Sequence, residues 1–354
     1  MVKRVIYPAH IYFLLMLSTG FMVHVLLHPI ILTSSKRDSW VSVMFSFVPM
    51  LLWAIMIYYL NKRLENKNIY TLLKSLNPFI SYFIRILFII YFILTAFITC
   101  KYTGFWAKSN YTFQVPYIVI ALSFIVLCYF GSSKGIKTIA AIAIFLLPPV
   151  VIFGVLVGIG NMKVKDYTLL FPLFENGYRG LFLGIMYTCA SFFEMFYLLF
   201  LTPFLKSRMH IKKFLLVTVI IFGLALGPLV AAIAMFGPEE ASKLKVPAYE
   251  QWKVLTLGVN VTRLDFLSIF QWFSGAFIRV SLSMFIAAHF ISQHKNKGAL
   301  LSLYAILAVA VLLPWNFEAF FSFLYSIYFP ASLIFFIISF GLLFFVSRKK
   351  GDVT

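Results

Sequence analysis

The sequence predicts an all-α integral membrane protein of about ten transmembrane helices, arranged as two inverted five-helix repeats with their first helices (one and six) discontinuous. Three observations carry that expectation. The chain is 62% hydrophobic, only 12% charged, and has a mean hydropathy of +0.96, whereas a soluble domain is about 45–50% apolar and about 25% charged. Its apolar residues fall in runs near the ~20 residues that cross a bilayer. And the first and sixth runs each carry a small, polar interruption at mid-length. Helices satisfy their own backbone in lipid, which excludes open sheets.

In order, the predicted spans are Pro8–Leu32, Ser39–Leu60, Phe79–Phe105, Val115–Phe130, Thr138–Gly160, Tyr178–Pro203, Ile211–Phe236, Thr262–Ile291, Gly298–Pro314 and Ala319–Val346. Residues 1–354 then form one transmembrane domain, with repeat one at about 8–160 and repeat two at about 178–346. The first run follows Lys3-Arg4 but is too long for a cleavable signal and lacks an Ala-x-Ala site. His24 and His28 share a helical face near its end, which Pro29 is expected to break; no third metal ligand accompanies them. Pro148-Pro149 and Pro330 read as kinks. The connection 237–261 reads as an extracytoplasmic loop, either a partner surface or a solvated loop with a short amphipathic helix.

The net charge of +19 is carried by short clusters between apolar runs, which points to membrane topology and anionic lipid rather than nucleic acid. Grouping the termini with the even-to-odd connections places Lys3, Arg4, Lys62, Arg63, Lys67, Lys74, Lys134, Lys137, Lys206, Arg208, Lys212, Lys213, Lys295, Lys297, Arg348, Lys349 and Lys350 on one side. By the excess of Lys and Arg, that side is expected to be cytoplasmic. Cys100, Cys128 and Cys189 lie in apolar runs with no paired spacing, so neither a disulfide framework nor a zinc motif is expected. There is no phosphate loop, nucleophile elbow or carboxylate pair at hydrolytic spacing. No enzyme, cofactor or metal site is therefore expected.

The middle of span one reads Leu17-Ser18-Thr19-Gly20 and that of span six Thr188-Cys189-Ala190-Ser191. Interrupted helices at matching places in two halves point to a midplane binding site, although small residues also serve close helix packing. An unwound turn would free carbonyls near Ser18 and Ala190 for an ammonium group, and Gly20 would leave room for a ligand against the backbone. Arg85, Glu194 and Arg279 are singled out as charges within spans. Arg85 is placed near an interface, where it would snorkel. Glu194 and Arg279 fall at similar depth, ~6 Å from mid-span at 1.5 Å per residue. They are therefore a candidate buried pair, acting as a structural tie or a proton relay.

PLFENGYRGLFLGIMYTCASFFEMFYLLFLTPFL (172–205) resembles the signature of the spore germination permeases, the B subunits of nutrient germinant receptors. So do the opening IYFLLMLSTGFMVHVLLHPI and the segment TRLDFLSIFQWF. That family belongs to the amino acid–polyamine–organocation superfamily. The resemblance implies a LeuT-like fold, a spore inner-membrane location, and partnership with an A subunit and a lipoprotein C subunit. It implies a small nutrient, commonly an amino acid, held between spans one, three, six and eight. Matching by motif, Gly20, Tyr91, Thr95, Ser281 and Phe285 are the pocket positions, with Phe193 and Phe285 bulkier or less polar than the family pattern. The readings left open are a sensor and an amino-acid permease working by alternating access.

Overall fold

The computed structural model describes residues 4–64, 68–74, 76–175, 177–256, 258, 261–292 and 297–348. Lys3, Lys67, Lys295, Lys349 and Lys350 of the charge grouping, and Asn176 of the Phe-Glu-Asn-Gly motif, lie outside the described residues. Among the described residues the chain is helical, with no strand; Ile6 and Leu205 form an isolated bridge. Eight stretches are long and apolar enough to cross a membrane. Phe47–Leu64 in span two and the shorter Lys297–Leu312, span nine, bring the number to ten.

Spans three, four, five and seven are single α-helices, Pro78–Asn110, Tyr117–Lys134, Ile136–Gly160 and Ile211–Phe236. Span eight, Leu267–Ile291, starts later than the sequence suggests because Thr262–Phe266 belongs to the approach loop. Spans one and six run antiparallel along their whole length, as inverted repeats require. At one end, Val5 N–H donates to the Phe204 carbonyl (2.8 Å) and Lys206 N–H to that of Ile6 (2.8 Å). At the other, Ser35 Oγ donates to the Gly180 carbonyl at 2.7 Å.

Neither span is interrupted where the sequence suggests; each stays helical and changes helix type. Span one is α-helical through Ser18–Gly20 and changes to a π turn at Met22–Leu26, then continues as Leu27–Ser35. Span six is α-helical through Thr188–Ser191 and tightens to a 3-10 turn at Phe193–Phe196 before Tyr197–Leu201. The unwinding expected at Ser18–Gly20 and Cys189–Ser191 is thus corrected to a change of helix type beginning two residues beyond each segment. Pro29 likewise does not end its helix. A proline ring clashes with the carbonyl four residues back and offers that carbonyl no donor. For Pro29 and Pro330 those carbonyls belong to Val25 and Ser326, which lie inside the π turns Met22–Leu26 and Leu324–Tyr328. Widening the helix by one residue relieves the clash while keeping most bonds made. Span five passes through Pro148–Pro149 as an unbroken helix.

The connection after span seven folds as two short helices, Pro238–Lys243 and Pro247–Val254. They cap the side of the bundle away from the termini. Thr33 Oγ1 donates to Ser242 O (3.2 Å), and Tyr102 OH to Lys245 O (2.7 Å). Tyr249 OH donates to Asp265 Oδ2 at 3.3 Å and Arg263 Nε to Oδ1 at 3.0 Å. Partial burial pushes the Asp265 carboxyl up, but the Arg263 guanidinium and these hydrogen bonds outweigh it and hold the group below its ordinary range.

Span six can lie close to spans one and two because Gly184 has no side chain. A Cβ there would collide with the Ser35 and Ser42 hydroxyls. Gly184→Ala should therefore destabilise the protein by about 1–3 kcal/mol through overpacking. Gly341→Ala, where nothing lies within 4 Å, should be neutral or stabilise by about 0.5–1 kcal/mol. Thermal unfolding of the two variants in one detergent checks the contrast.

Candidate functional site

The centre of the bundle is organised by one guanidinium. Arg279 sits mid-way along span eight with no exposed surface, and so does Glu194 in the 3-10 turn of span six. Arg279 Nη1 donates to Glu194 Oε2 in an ion pair and to the Ser18 carbonyl of span one at 3.3 Å. Its Nε donates to Thr99 Oγ1 of span three at 3.0 Å, and its Nη2 to Tyr328 OH of span ten at 3.4 Å. Met22 Sδ, the first residue of the π turn, lies 3.4 Å from Nη2. The Ser18 carbonyl, which the sequence reserves for a ligand's ammonium, is here engaged by the protein's own cation.

Several polar atoms in this region have no partner among the described residues: Ser18 Oγ, Thr19 Oγ1, Tyr91 OH and Glu194 Oε1 are buried and unbonded. Buried polar atoms in folded proteins are nearly always hydrogen-bonded, so such a group calls for water, an ion or a ligand. Tyr91 stacks on Phe335 of span ten (4.3 Å, 12°) with its hydroxyl in electrostatic reach of Glu194, Arg279, Tyr197 and Tyr328. Thr95 Oγ1 lies 3.4 Å from Tyr328 OH, and Tyr197 OH 3.3 Å from Ser283 Oγ.

Other expected positions face elsewhere. Ser281 Oγ donates to the Cys128 carbonyl of span four at 3.3 Å, on the far side of span eight. Phe285 packs on Phe204 and His289 near the end of span six. Cys189 is in hydrogen-bonding reach of Ser46 in span two, and Ser191 Oγ donates to its own helix at Tyr187 O (2.9 Å). Ala190 is fully buried. Gly20 packs against Leu224 of span seven and borders a separate apolar cavity. Phe193 stacks flat on Trp53 (4.1 Å, 5°), whose Nε1 donates to the Phe193 carbonyl at 3.2 Å. That contact takes its bulk away from Arg279 and holds the 3-10 turn. These side chains point apart because neighbouring residues on a helix face different partners. Position on the right span does not place a residue on the right face.

Span three carries more charge than the sequence suggests. Arg85 is half-buried and reaches the end of span eight; its Nε donates to Phe290 O at 2.9 Å, and its Nη2 also donates there. Lys101, which the predicted limits of span three enclose, is buried there. Its Nζ donates to Val311 O (2.7 Å) and Leu313 O (2.8 Å) at the end of span nine and lies over the Phe105 and Tyr117 rings. Both cations thus satisfy terminal helix carbonyls, where the dipole is negative. Thr99, Tyr328, Tyr197 and Lys101 were not among the predicted site residues. Thr95, Thr99 and Lys101 were detectable as polar residues in an apolar run, and Tyr328 by its place two before Pro330. His24 and His28 meet edge to face at 5.3 Å. Among the described residues no three potential ligands gather as a metal site.

These features define a multi-pass membrane protein of the LeuT fold. The structure of MhsT in complex with L-phenylalanine superposes with a TM-score of 0.66 at 11% identity, covering 99% of this chain and 93% of that one. The profile of the family described as "Spore germination protein" matches residues 8–320. Spore germination protein XB of Bacillus anthracis is 32% identical over 339 residues, covering 94% of this chain and 95% of that protein. Spore germination protein B2 of Bacillus subtilis (strain 168) is 22% identical over 245 residues, covering 65% of this chain and 64% of that protein. The chain belongs to the spore germination protein family.

Removing one partner of a buried ion pair strands the other. Arg279→Met should destabilise by about 3–5 kcal/mol, and Glu194→Gln/Arg279→Met by markedly less than the two single changes together. Lys101→Met, which frees two helix-end carbonyls, should lose about 1.5–3 kcal/mol. Equilibrium or thermal unfolding of the purified variants measures all three.

Proposed function

We propose that this chain is the nutrient-sensing membrane subunit of a spore germination receptor. In this reading it holds a small nutrient, an amino acid, at mid-bilayer beside Glu194 and Arg279. The supporting observation is the set of buried, unbonded polar atoms, Ser18 Oγ, Thr19 Oγ1, Tyr91 OH and Glu194 Oε1, on residues at or near the Arg279 guanidinium. A carboxylate with one oxygen spent on Arg279 and the other open suits an ammonium donor, and the three hydroxyls suit a carboxylate or further polar atoms.

The guanidinium bonds to spans one, three, six and ten, so a nutrient that competes for Glu194 shifts how those spans sit on span eight. Differential affinity for the two arrangements is what couples binding to partner subunits. On this reading the partners are an A subunit and a lipoprotein C subunit. The location is the spore inner membrane, with both termini in the cytoplasm.

Tyr91→Phe and Ser18→Ala each delete an unbonded hydroxyl, so neither should lower the thermal midpoint. Each should nonetheless raise the nutrient concentration for half-maximal germination of spores carrying the variant by about tenfold, the equivalent of one ~1.4 kcal/mol hydrogen bond. Unchanged dose–response curves in both variants would remove the site from this region. Labelled amino-acid uptake by proteoliposomes separates the second reading: accumulation of nutrient together with normal germination of spores lacking the chain would make it a permease.

A further inference from the structure

A cavity of about 600 Å³ lies away from Arg279 and Glu194, between spans five and seven with spans one and eight as its floor. The geometry points to a binding slot for one acyl chain of a membrane phospholipid from the leaflet on the cap side, with its headgroup beside Lys165.

The first reason is that the helices flanking the slot are shaped for close approach yet leave space. Span five presents Gly154 and Gly158, and span seven Gly223 and Gly227, at the four-residue spacing that ordinarily lets membrane helices touch. A Cβ added at Gly158, Gly223 or Gly227 would meet nothing within 4 Å, and one at Gly154 only the Gln271 amide at 3.6 Å. The glycines widen a gap instead of closing one.

The second is length. The slot runs from Leu147 to Gly158 along span five, a rise of ~16 Å at 1.5 Å per residue. That is half of a ~30 Å hydrocarbon core, the depth of one leaflet. It opens sideways, since its lining residues Val151, Val155 and Ile220 are 50%, 52% and 45% exposed. At its end stand Lys165 and Tyr167, residue types that sit at headgroup level.

The third is chemistry. Most polar groups on the wall are already engaged: Gln271 Nε2 donates to Val150 O (2.8 Å), its Oε1 accepts from Trp252 Nε1 (3.0 Å), and Gln251 Nε2 donates to Pro228 O (2.9 Å). Only His24 Nδ1 among the slot's buried side-chain atoms is unbonded. A zwitterionic nutrient would find few partners there, whereas a hydrocarbon chain needs none. An occupant would fill the space between span five and span seven, and so bear on their relative motion.

Two groove-lining tryptophans of the six in the chain, Trp252 and Trp272, report occupancy. The full chain is reconstituted in phospholipid bearing brominated acyl chains, and tryptophan fluorescence is measured. Quenching in Gly158→Leu/Gly227→Leu, whose side chains fill the slot, should fall by roughly a third relative to wild type and to the control Gly341→Leu. Equal quenching in all three proteins overturns the assignment. Should the double variant fail to fold, mass spectrometry of the wild-type chain extracted in mild detergent decides: one retained phospholipid supports the slot, and a bare chain or a bound non-lipid solute sinks it.

Discussion

A guanidinium without access to water must be satisfied by the protein, and that constraint organises the centre of this bundle. Isolated in a low-dielectric interior, the charge of Arg279 would carry a desolvation penalty of several kcal/mol. The chain meets it with a carboxylate from span six, a backbone carbonyl from span one, a hydroxyl from span three and a phenol from span ten. Those four donors of oxygen come from both halves of the inverted repeat. Satisfying one residue therefore fixes the relative placement of the two repeats.

The changes in helix type follow from the same demand. A π turn in span one begins at Met22, whose sulfur touches Arg279, and the 3-10 turn of span six contains Glu194. Tightening from 3.6 to 3.0 residues per turn rotates the chain by ~20° more per residue, so four such residues re-aim everything beyond them. Trp53 holds that turn from span two by stacking on Phe193 and bonding its carbonyl. Local irregularity is thus supported by packing from outside.

The long third span acts as a post to which other helices are tied. Arg85 near one end bonds the last carbonyls of span eight, and Lys101 near the other those of span nine. Between them, Tyr91, Thr95 and Thr99 face the centre. A short ninth span of 16 residues is tolerable in a membrane because a buried ammonium satisfies its terminal carbonyls.

Much of the architecture was legible in one dimension. Hydrophobic length predicted about ten spans and the described residues hold eight helical stretches long and apolar enough to cross a membrane, with span seven's limits unchanged at Ile211–Phe236, since lipid makes long apolar runs obligatory helices. Unpaired charge at equal depth sufficed to nominate Glu194 with Arg279, because each makes the other tolerable. The sequence did not reveal which face each helix turns inward. Ser281, Phe285, Cys189 and Gly20 lie on suitable spans yet look toward span four, the end of span six, span two and span seven in turn, while Thr99 and Tyr328 reach the guanidinium. Nor could it show that a proline is absorbed by a π turn instead of ending a helix. Rotation about a helix axis and the choice of hydrogen-bond partner depend on neighbours distant in sequence, and only the packed structure brings those neighbours into contact.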